Sequence, residues 1–339
     1  PLRGMSEGMP EDGPRFFDPG FAYRFRSQGS HAGAPSHIYA ENPPYGISLD
    51  YWLSEPTDEP VRISILSEEG DTVRTLSGDG APGLNRVWWD LRHESALEPT
   101  LRTPPPGREW VRLGEDQTRP LVPWDLDLTR DGPLAVPGEY TVVLRVGDET
   151  IRREVTVRKD PHTENTMADV QAQTEFALRI RDAISSVSRM INRLEWLKKN
   201  LSQLQTQLAA EQGHDGPVAA ALDRSTVSDL QSGADELAQE AVAVEKRLFD
   251  VNLTGAREDA FRNSNKLYGR LSALLYEVSV ASDDHPPTDQ QREVFALLQE
   301  RLEEARTRYR AVFEKQVPAY RSRLREVDIP FSLASGSAR

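Results

Sequence analysis

The sequence predicts an α+β chain of several domains: an antiparallel β-sandwich, then an up-and-down four-helix bundle, with an extended N-terminal arm in front. Three observations predict it. Pro82-Gly83 and Pro137-Gly138 each join a fixed φ to a permissive one and open a run of alternating apolar residues, the pattern of a tight turn feeding a strand. Beyond Thr166 the apolar spacing changes from two to alternating threes and fours. Before Tyr45 neither period is present.

Residues 1–45 form the arm. Gly, Pro and Ser recur there, and the apolar side chains are scattered aromatics. Such a segment cannot bury enough surface to offset its own ordering entropy. It is expected to lie on the rest of the chain or on a partner, with Phe16, Phe17, Phe21, Tyr23 and Phe25 as anchors.

Residues 46–160 carry the sandwich. Ile47–Leu53, Val61–Ile65 and Thr72–Leu76 alternate, and Glu69-Gly70 turns between the last two. The Trp88-Trp89 strand follows, then Tyr140–Val146, a Gly147-Asp148 hairpin and Thr150–Val157. Turns at hairpin spacing between such runs indicate an antiparallel sandwich of about seven strands. Its expected core is Leu49, Tyr51, Ile63, Ile65, Val73, Leu76, Val87, Trp89, Tyr140, Val142, Leu144, Val155 and Val157. Val87 and Trp89 point to one face and Trp88 and Leu91 nearer the other, with a bulge expected near Asp90.

Between 93 and 133 the pattern lapses into a long insertion containing Pro104-Pro105-Pro106-Gly107 and isolated Trp110 and Trp124. An insertion of that length is either a surface loop folded back on its own sheet or a contact surface whose tryptophans anchor a neighbour.

Residues 161–330 carry the bundle, and 331–339 a tail. Thr166 and Asp169 have capping-box spacing. Ile180, Ile184, Val187, Ile191, Leu194, Leu197, Leu201, Leu204 and Leu208 then form a coiled-coil-like seam on a helix about 65 Å long. Gly213–Pro217 ends it. A second helix stripes Leu230, Ala234, Leu237, Ala241, Val244 and Leu248, and its small residues suit close helix approach. A third stripes Leu267, Leu271, Leu274, Val278 and Ala281. A fourth, capped by Thr288 and Gln291, stripes Val294, Leu298, Leu302, Ala305, Tyr309 and Val312, and Pro318 should kink its last turns. Short connections make the four antiparallel neighbours.

Gly70–Leu76, Gly83–Arg92 and Gly132–Val142 resemble the Ig-like domain of flagellar hook-capping proteins. They are closer to the region after the β-propeller in bacterial sortilin-like, Asp-box-repeat "glycosyl hydrolase" proteins. Asn42–Gly46, Arg158–Pro161, Gln316–Tyr320 and Ile329-Pro330 fit that second family, so the resemblance spans Phe21 to Pro330. It implies an Ig-like sandwich and an exported, periplasmic or extracellular protein. The propeller and its carboxylates are not in this chain, and no catalytic residue carries over. The start at Pro1, with neither initiator Met nor signal peptide, points to a mature or clipped product of a longer parent.

Composition narrows the function. A net charge of −13 over 339 residues disfavours nucleic acid and anionic membrane surfaces as partners. No run approaches the roughly 18 apolar residues of a membrane span. The absence of cysteine excludes disulfides, thiolate metal sites and a Cys nucleophile. The six histidines, at 31, 37, 93, 162, 214 and 285, have no ligand spacing, and the flanks of the His31 and His37 pair offer Gly and Ser rather than ligands. Asp90, with Glu94 close in sequence, reads as closing a strand end, paired with Arg92 or a backbone amide, rather than as an acid catalyst. Asn252-Leu253-Thr254 is a chance sequon. Charged helix faces such as Arg301–Arg306 read as solvated.

Neither catalytic residues nor a cofactor is expected. The expectation is a structural module: an extrinsic subunit bracing a larger, membrane-embedded protein complex, of which a photosynthetic reaction-centre and light-harvesting assembly is one setting. Two other readings remain open. One is the accessory C-terminal part of a secreted propeller hydrolase. The other is a carbohydrate-binding domain with Trp110 and Trp124 as stacking platforms.

Overall fold

A computed structural model describes residues 13–25, 43–121, 131–211, 224–254, 262, 264–281 and 284–329. The expectations for Trp124, His31, His37, His214 and the 331–339 tail fall outside them. Among the described residues the strands are β1 (Pro14–Phe16), β2 (Phe21–Arg24), β3 (Ile47–Leu53), β4 (Arg62–Leu66), β5 (Thr72–Ser77), β6 (Gly83–Trp89), β7 (Thr100–Leu101), β8 (Arg119–Pro120), β9 (Gly138–Val146) and β10 (Glu149–Lys159). The helices are α1 (Met167–Glu211), α2 (Arg224–Leu248), α3 (Leu267–Tyr276), α4 (Asp289–Ala311) and α5 (Val317–Glu326). Sheets and helices together make this a mixed α+β protein. Two compact units result: the described parts of Pro1–Ser95, Asp131–Leu178 and Glu277–Pro287, and those of Ala96–Arg130, Arg179–Tyr276 and Thr288–Arg339.

The first unit holds two sheets, β1-β3-β6 and β2-β10-β9-β4-β5. Alternation places Leu49, Tyr51 and Trp89 from the first and Ile63, Ile65, Val142, Leu144, Val155 and Val157 from the second in one apolar cluster. Every expected core residue lies in it, Leu76 and Val87 at its partly buried margin. Within these two sheets all pairings are antiparallel except β2 on β10, which is parallel.

The described start of the arm lies on the rest of the chain, one of the two seats expected for it, but as a strand that the sequence did not predict. Pro14–Phe16 pairs antiparallel with Tyr51–Leu53, and the Phe17 N–H donates to the Asp50 carbonyl (3.0 Å). Phe16 and Phe17 are thereby buried. A three-residue strand is too short to display a period, so its burial had no signature in the sequence.

The end of β6 also differs. The strand stops at Trp89, and Leu91 turns left-handed (φ 57°), which returns its side chain to the core rather than to the opposite face. Gly46 (φ +118°) packs against this strand end, since a Cβ there would sit 1.9 Å from the Trp89 carbonyl oxygen.

In the second unit the α1 seam from Ile180 to Leu208 is buried throughout, as is the α2 stripe. Close approach by α2 is realised at Gly233, where an added Cβ would meet Arg323 Nη1 at 2.7 Å and the Tyr320 ring at 3.0 Å. Both capping boxes form: Thr288 with Gln291, and, in the first unit, Thr166 with Asp169. On α4 the stripe begins at Phe295, not Val294, because both positions can lead to Leu298 and the larger ring goes inward. Pro318 does not end the helix, which runs on to Glu326. Five π-helical residues (Val312–Gln316) precede it, and the Val317 N–H reaches back to the Val312 carbonyl, so the wider turn absorbs the proline.

The ends of the insertion stay with the sheet, where the Glu94 N–H donates to the Val73 carbonyl (2.9 Å), but from Leu97 its described part seats on helix α1. The Leu97 N–H donates to Ser185 Oγ (3.0 Å) and the Thr100 N–H to Asn192 Oδ1 (2.6 Å), both on α1. Arg108 and Arg119 donate to the carbonyls of Asn252 and Leu253.

Candidate docking face

Strand β2 lies at the edge of the five-stranded sheet. Its alternation sends Ala22 and Arg24 inward and leaves Phe21 (51% exposed) and Tyr23 (38%) outward; Phe25 (44%) follows just past the strand. The Phe21 and Tyr23 rings meet edge-on at 5.7 Å, and the Arg158 guanidinium lies 3.8 Å from the Phe21 centroid. Phe25 meets Tyr45 edge-on at 5.0 Å, and its N–H donates to the Tyr45 hydroxyl (3.2 Å). Three of the five aromatics expected to anchor the arm are thus presented together, while Phe16 and Phe17 belong to the interior.

Beneath the rings, Arg24 pins the strand. Its Nε and Nη2 donate to Asp284 Oδ1 (3.1 and 2.8 Å), and Nη2 also donates to Gln173 Oε1 (2.8 Å). Its Nη1 reaches Thr174 Oγ1 (2.8 Å) and the carbonyls of Leu134 and Ala135 (3.2 and 3.1 Å). Arg24 and Asp284 are both buried. A buried charge is tolerated when it is paired and its remaining donors are satisfied, and this guanidinium meets both conditions.

No protein-family model matches the chain, and neither does any curated protein or solved structure. The functional reading therefore rests on the geometry and on the motif resemblance alone.

Trp110 projects from the insertion, 71% exposed. With Trp124 outside the described residues, no two-tryptophan platform is on view. Sequence reasoning passed over Trp196, which lies between Arg102 (4.6 Å) and Lys199 (5.5 Å).

It also missed the second unit's buried ion cluster. Glu195, on α1, accepts from the backbone N–H groups of Arg102 and Thr103 (2.8 Å for Thr103) and from the Thr103 hydroxyl. Lys198 Nζ lies 2.5 Å from Glu195 Oε1 and 2.6 Å from Glu245 Oε2 of α2. The Glu245 oxygens have no hydrogen bond of sound geometry, so their contact with Lys198 is one of distance and charge. Burial pushes the Glu245 carboxyl up to about 8, against the pull of Lys198 and aided by Glu195. Burial works to raise Glu195 and to lower Lys198, but the charges around them win: Glu195 is held down and Lys198 up. The set resembles an acid-base site in composition only, because both carboxylates are fully buried.

The other polar candidates make backbone contacts near the end of β6. Asp90 Oδ1 accepts the Arg92 N–H (3.2 Å), and Glu94 accepts the Thr75 N–H (2.8 Å). An open groove of about 1180 Å³ lies between α1 and α4, lined by Arg179, Asp182, Arg189, Glu300 and Arg306 among others. Its walls mix both signs of charge, and Arg306 is already engaged with Glu303 and Ser186. Among the described residues no group of His, Asp and Glu is placed to hold a metal ion, and no helix is long and apolar enough to cross a membrane.

Proposed function

We propose that this chain is a non-enzymatic docking module that braces a larger protein assembly. The two-sheet unit is read as an Ig-like sandwich and the helices as a four-helix bundle. The observation that carries the reading is the aromatic stripe Phe21, Tyr23 and Phe25, exposed at a sheet edge and fixed from below by Arg24. Rigid aromatics presented in advance of binding lose little entropy on contact and are the usual anchors of protein interfaces. The motif resemblance to exported proteins supports an extracytoplasmic, membrane-peripheral setting with integral subunits as partners.

A photo-crosslinking residue in place of Phe21, in the full chain expressed in its source cells, tests this. The expected product is a discrete adduct with an integral membrane subunit. The same probe at Thr72, an exposed position on the opposite edge strand β5, should give none. Equal labelling at both positions, or no adduct at position 21, refutes the proposal.

A further inference from the structure

The outer face of the five-stranded sheet carries a charge arrangement that the fold alone does not require. Arg62 of β4 and Arg145 of β9 are directly opposed Cα partners in an antiparallel pair. Like charges directly opposite each other destabilise a sheet. Arg152 of β10 shares their face, one diagonal step from Arg145, since Arg145 pairs with Thr150 and Val143 with Arg152. All three side chains are exposed, and none has an ion-pair partner among the described residues. The chain as a whole carries a net charge of −13, so a cluster of three positive charges is not a reflection of its composition.

The rest of the face sets a polarity. Arg158 lies six residues beyond Arg152, about 20 Å along β10, and pairs with Tyr23. The face thus has three unpaired arginines at one end and Phe21, Tyr23 and Arg158 at the other. Between them stand Glu139, engaged by the Thr156 hydroxyl (2.9 Å), and exposed Glu154. These carboxylates repel acidic groups from the middle of the face.

We infer that this face receives an acidic segment of a protein partner, its carboxylates set against Arg62, Arg145 and Arg152 and its apolar end against Phe21 and Tyr23. Local charge complementarity selects the occupant: an unfavourable like-charge pair is relieved by carboxylates from outside. The overall negative charge works at long range against nucleic acid and anionic membrane, whose charge is extended, more than against one short acidic segment. The inference rests on the docking reading and names the partner's chemistry. The crosslink at position 21 reports on that reading, and the experiment below on this one.

The test uses the full chain and a fluorescein-labelled oligoglutamate peptide of about ten residues, long enough to span the face. Binding is followed by anisotropy at about 0.01 M and 0.15 M salt. Wild type should bind at low salt. Replacing Arg62, Arg145 and Arg152 together by Ser should weaken binding by about tenfold or more. Replacing exposed Arg308, Arg310 and Arg325 by Ser, the same change in net charge, should leave most of it.

A second variant separates binding from folding. Arg145→Glu should raise Tm, by supplying Arg62 with a cross-strand partner, and should also abolish peptide binding. A merely structural role cannot move the two in opposite directions. Equal binding by wild type and the Arg62/Arg145/Arg152 variant, or no binding by wild type at low salt, overturns the inference. So does a preference, through these same arginines, for an RNA oligonucleotide or phosphatidylserine vesicles over oligoglutamate.

Discussion

Replacing Glu245 by Gln should stabilise the protein in a pH-dependent way. Glu245 is fully buried, and its carboxyl titrates near 8 in the folded chain against 4.5 as its reference. Below pH 4.5 both folded and unfolded states hold the proton, and there is no penalty. Between 4.5 and 8 the unfolded state releases it while the folded state retains it, so stability falls as pH rises. The slope is about 1.4 kcal/mol per pH unit, and over the window of about 3.5 units the loss reaches at most about 5 kcal/mol. Above pH 8 both states are ionised and the slope vanishes. The other two members of the cluster do not titrate in this window. The stability contributed by Glu195 is lost only as pH falls through its depressed value, and that of Lys198 only as pH rises through its raised one.

The amide introduced by Glu245→Gln is neutral at every pH and has nearly the shape of the protonated acid. Urea unfolding at pH 5, 6, 7 and 8, followed by far-UV circular dichroism, should give nearly coincident stabilities at pH 5. By pH 8 the variant should lead by about 2–4 kcal/mol, the upper bound being reduced by local relaxation. Amide exchange at Arg102 and Thr103, whose N–H groups donate to Glu195, should slow in parallel. A constant difference between the two proteins from pH 5 to 8 would refute the reasoning, because Glu245 would then be ionised throughout.

Two further predictions concern the first unit. Arg24→Met removes one member of a buried pair and strands Asp284 together with the acceptors on Gln173, Thr174, Leu134 and Ala135. It should cost about 3–5 kcal/mol in chemical denaturation and release β2 to fast amide exchange; a loss under about 1 kcal/mol would show that the network is not holding the strand. Gly46→Ala forces a Cβ against the Trp89 carbonyl and should cost about 3 kcal/mol or more, whereas Gly70→Ala, at φ +89° with open space around it, should cost about 1 kcal/mol. Equal Tm shifts for the two would mean that backbone conformation alone, not contact, decides both.

What could be read from the sequence follows from how far each pattern extends. The α1 seam repeats over many turns, and each of its positions from Ile180 to Leu208 is buried. The core strands alternate for five residues or more, long enough for the period to declare itself. Pro14–Phe16 does not, and its burial is decided by pairing with a strand that begins only at Ile47. Arg24 was equally silent, because its partners lie between 110 and 260 residues further along the chain. The seat of the insertion on α1 did have a signal. Ser185, Ser188, Asn192 and Glu195 repeat at threes and fours, a polar stripe beside the apolar one. Ser185, Asn192 and Glu195 accept backbone N–H groups from the insertion. A polar stripe on a helix whose apolar seam is already complete predicts a polar strand laid against it.

Charges that break local rules divide here into two kinds, and the difference bears on function. Arg24 breaks the rule against buried charge, yet its guanidinium is paired and hydrogen-bonded within the chain. Glu245 breaks the same rule, and a proton settles it. Both are resolved inside the fold, which is why they bear on stability. Arg62 and Arg145 break the rule against opposed like charges at exposed positions, and neither has an ion-pair partner among the described residues. Phe21, Tyr23 and Phe25 likewise keep apolar surface outward beyond what Arg158 and Tyr45 cover, although Ala22 and Arg24 on the same segment are turned in. Unrelieved local costs on the outer face of one sheet are best balanced by a partner, and that is the physical ground for reading this face as the working surface of the molecule.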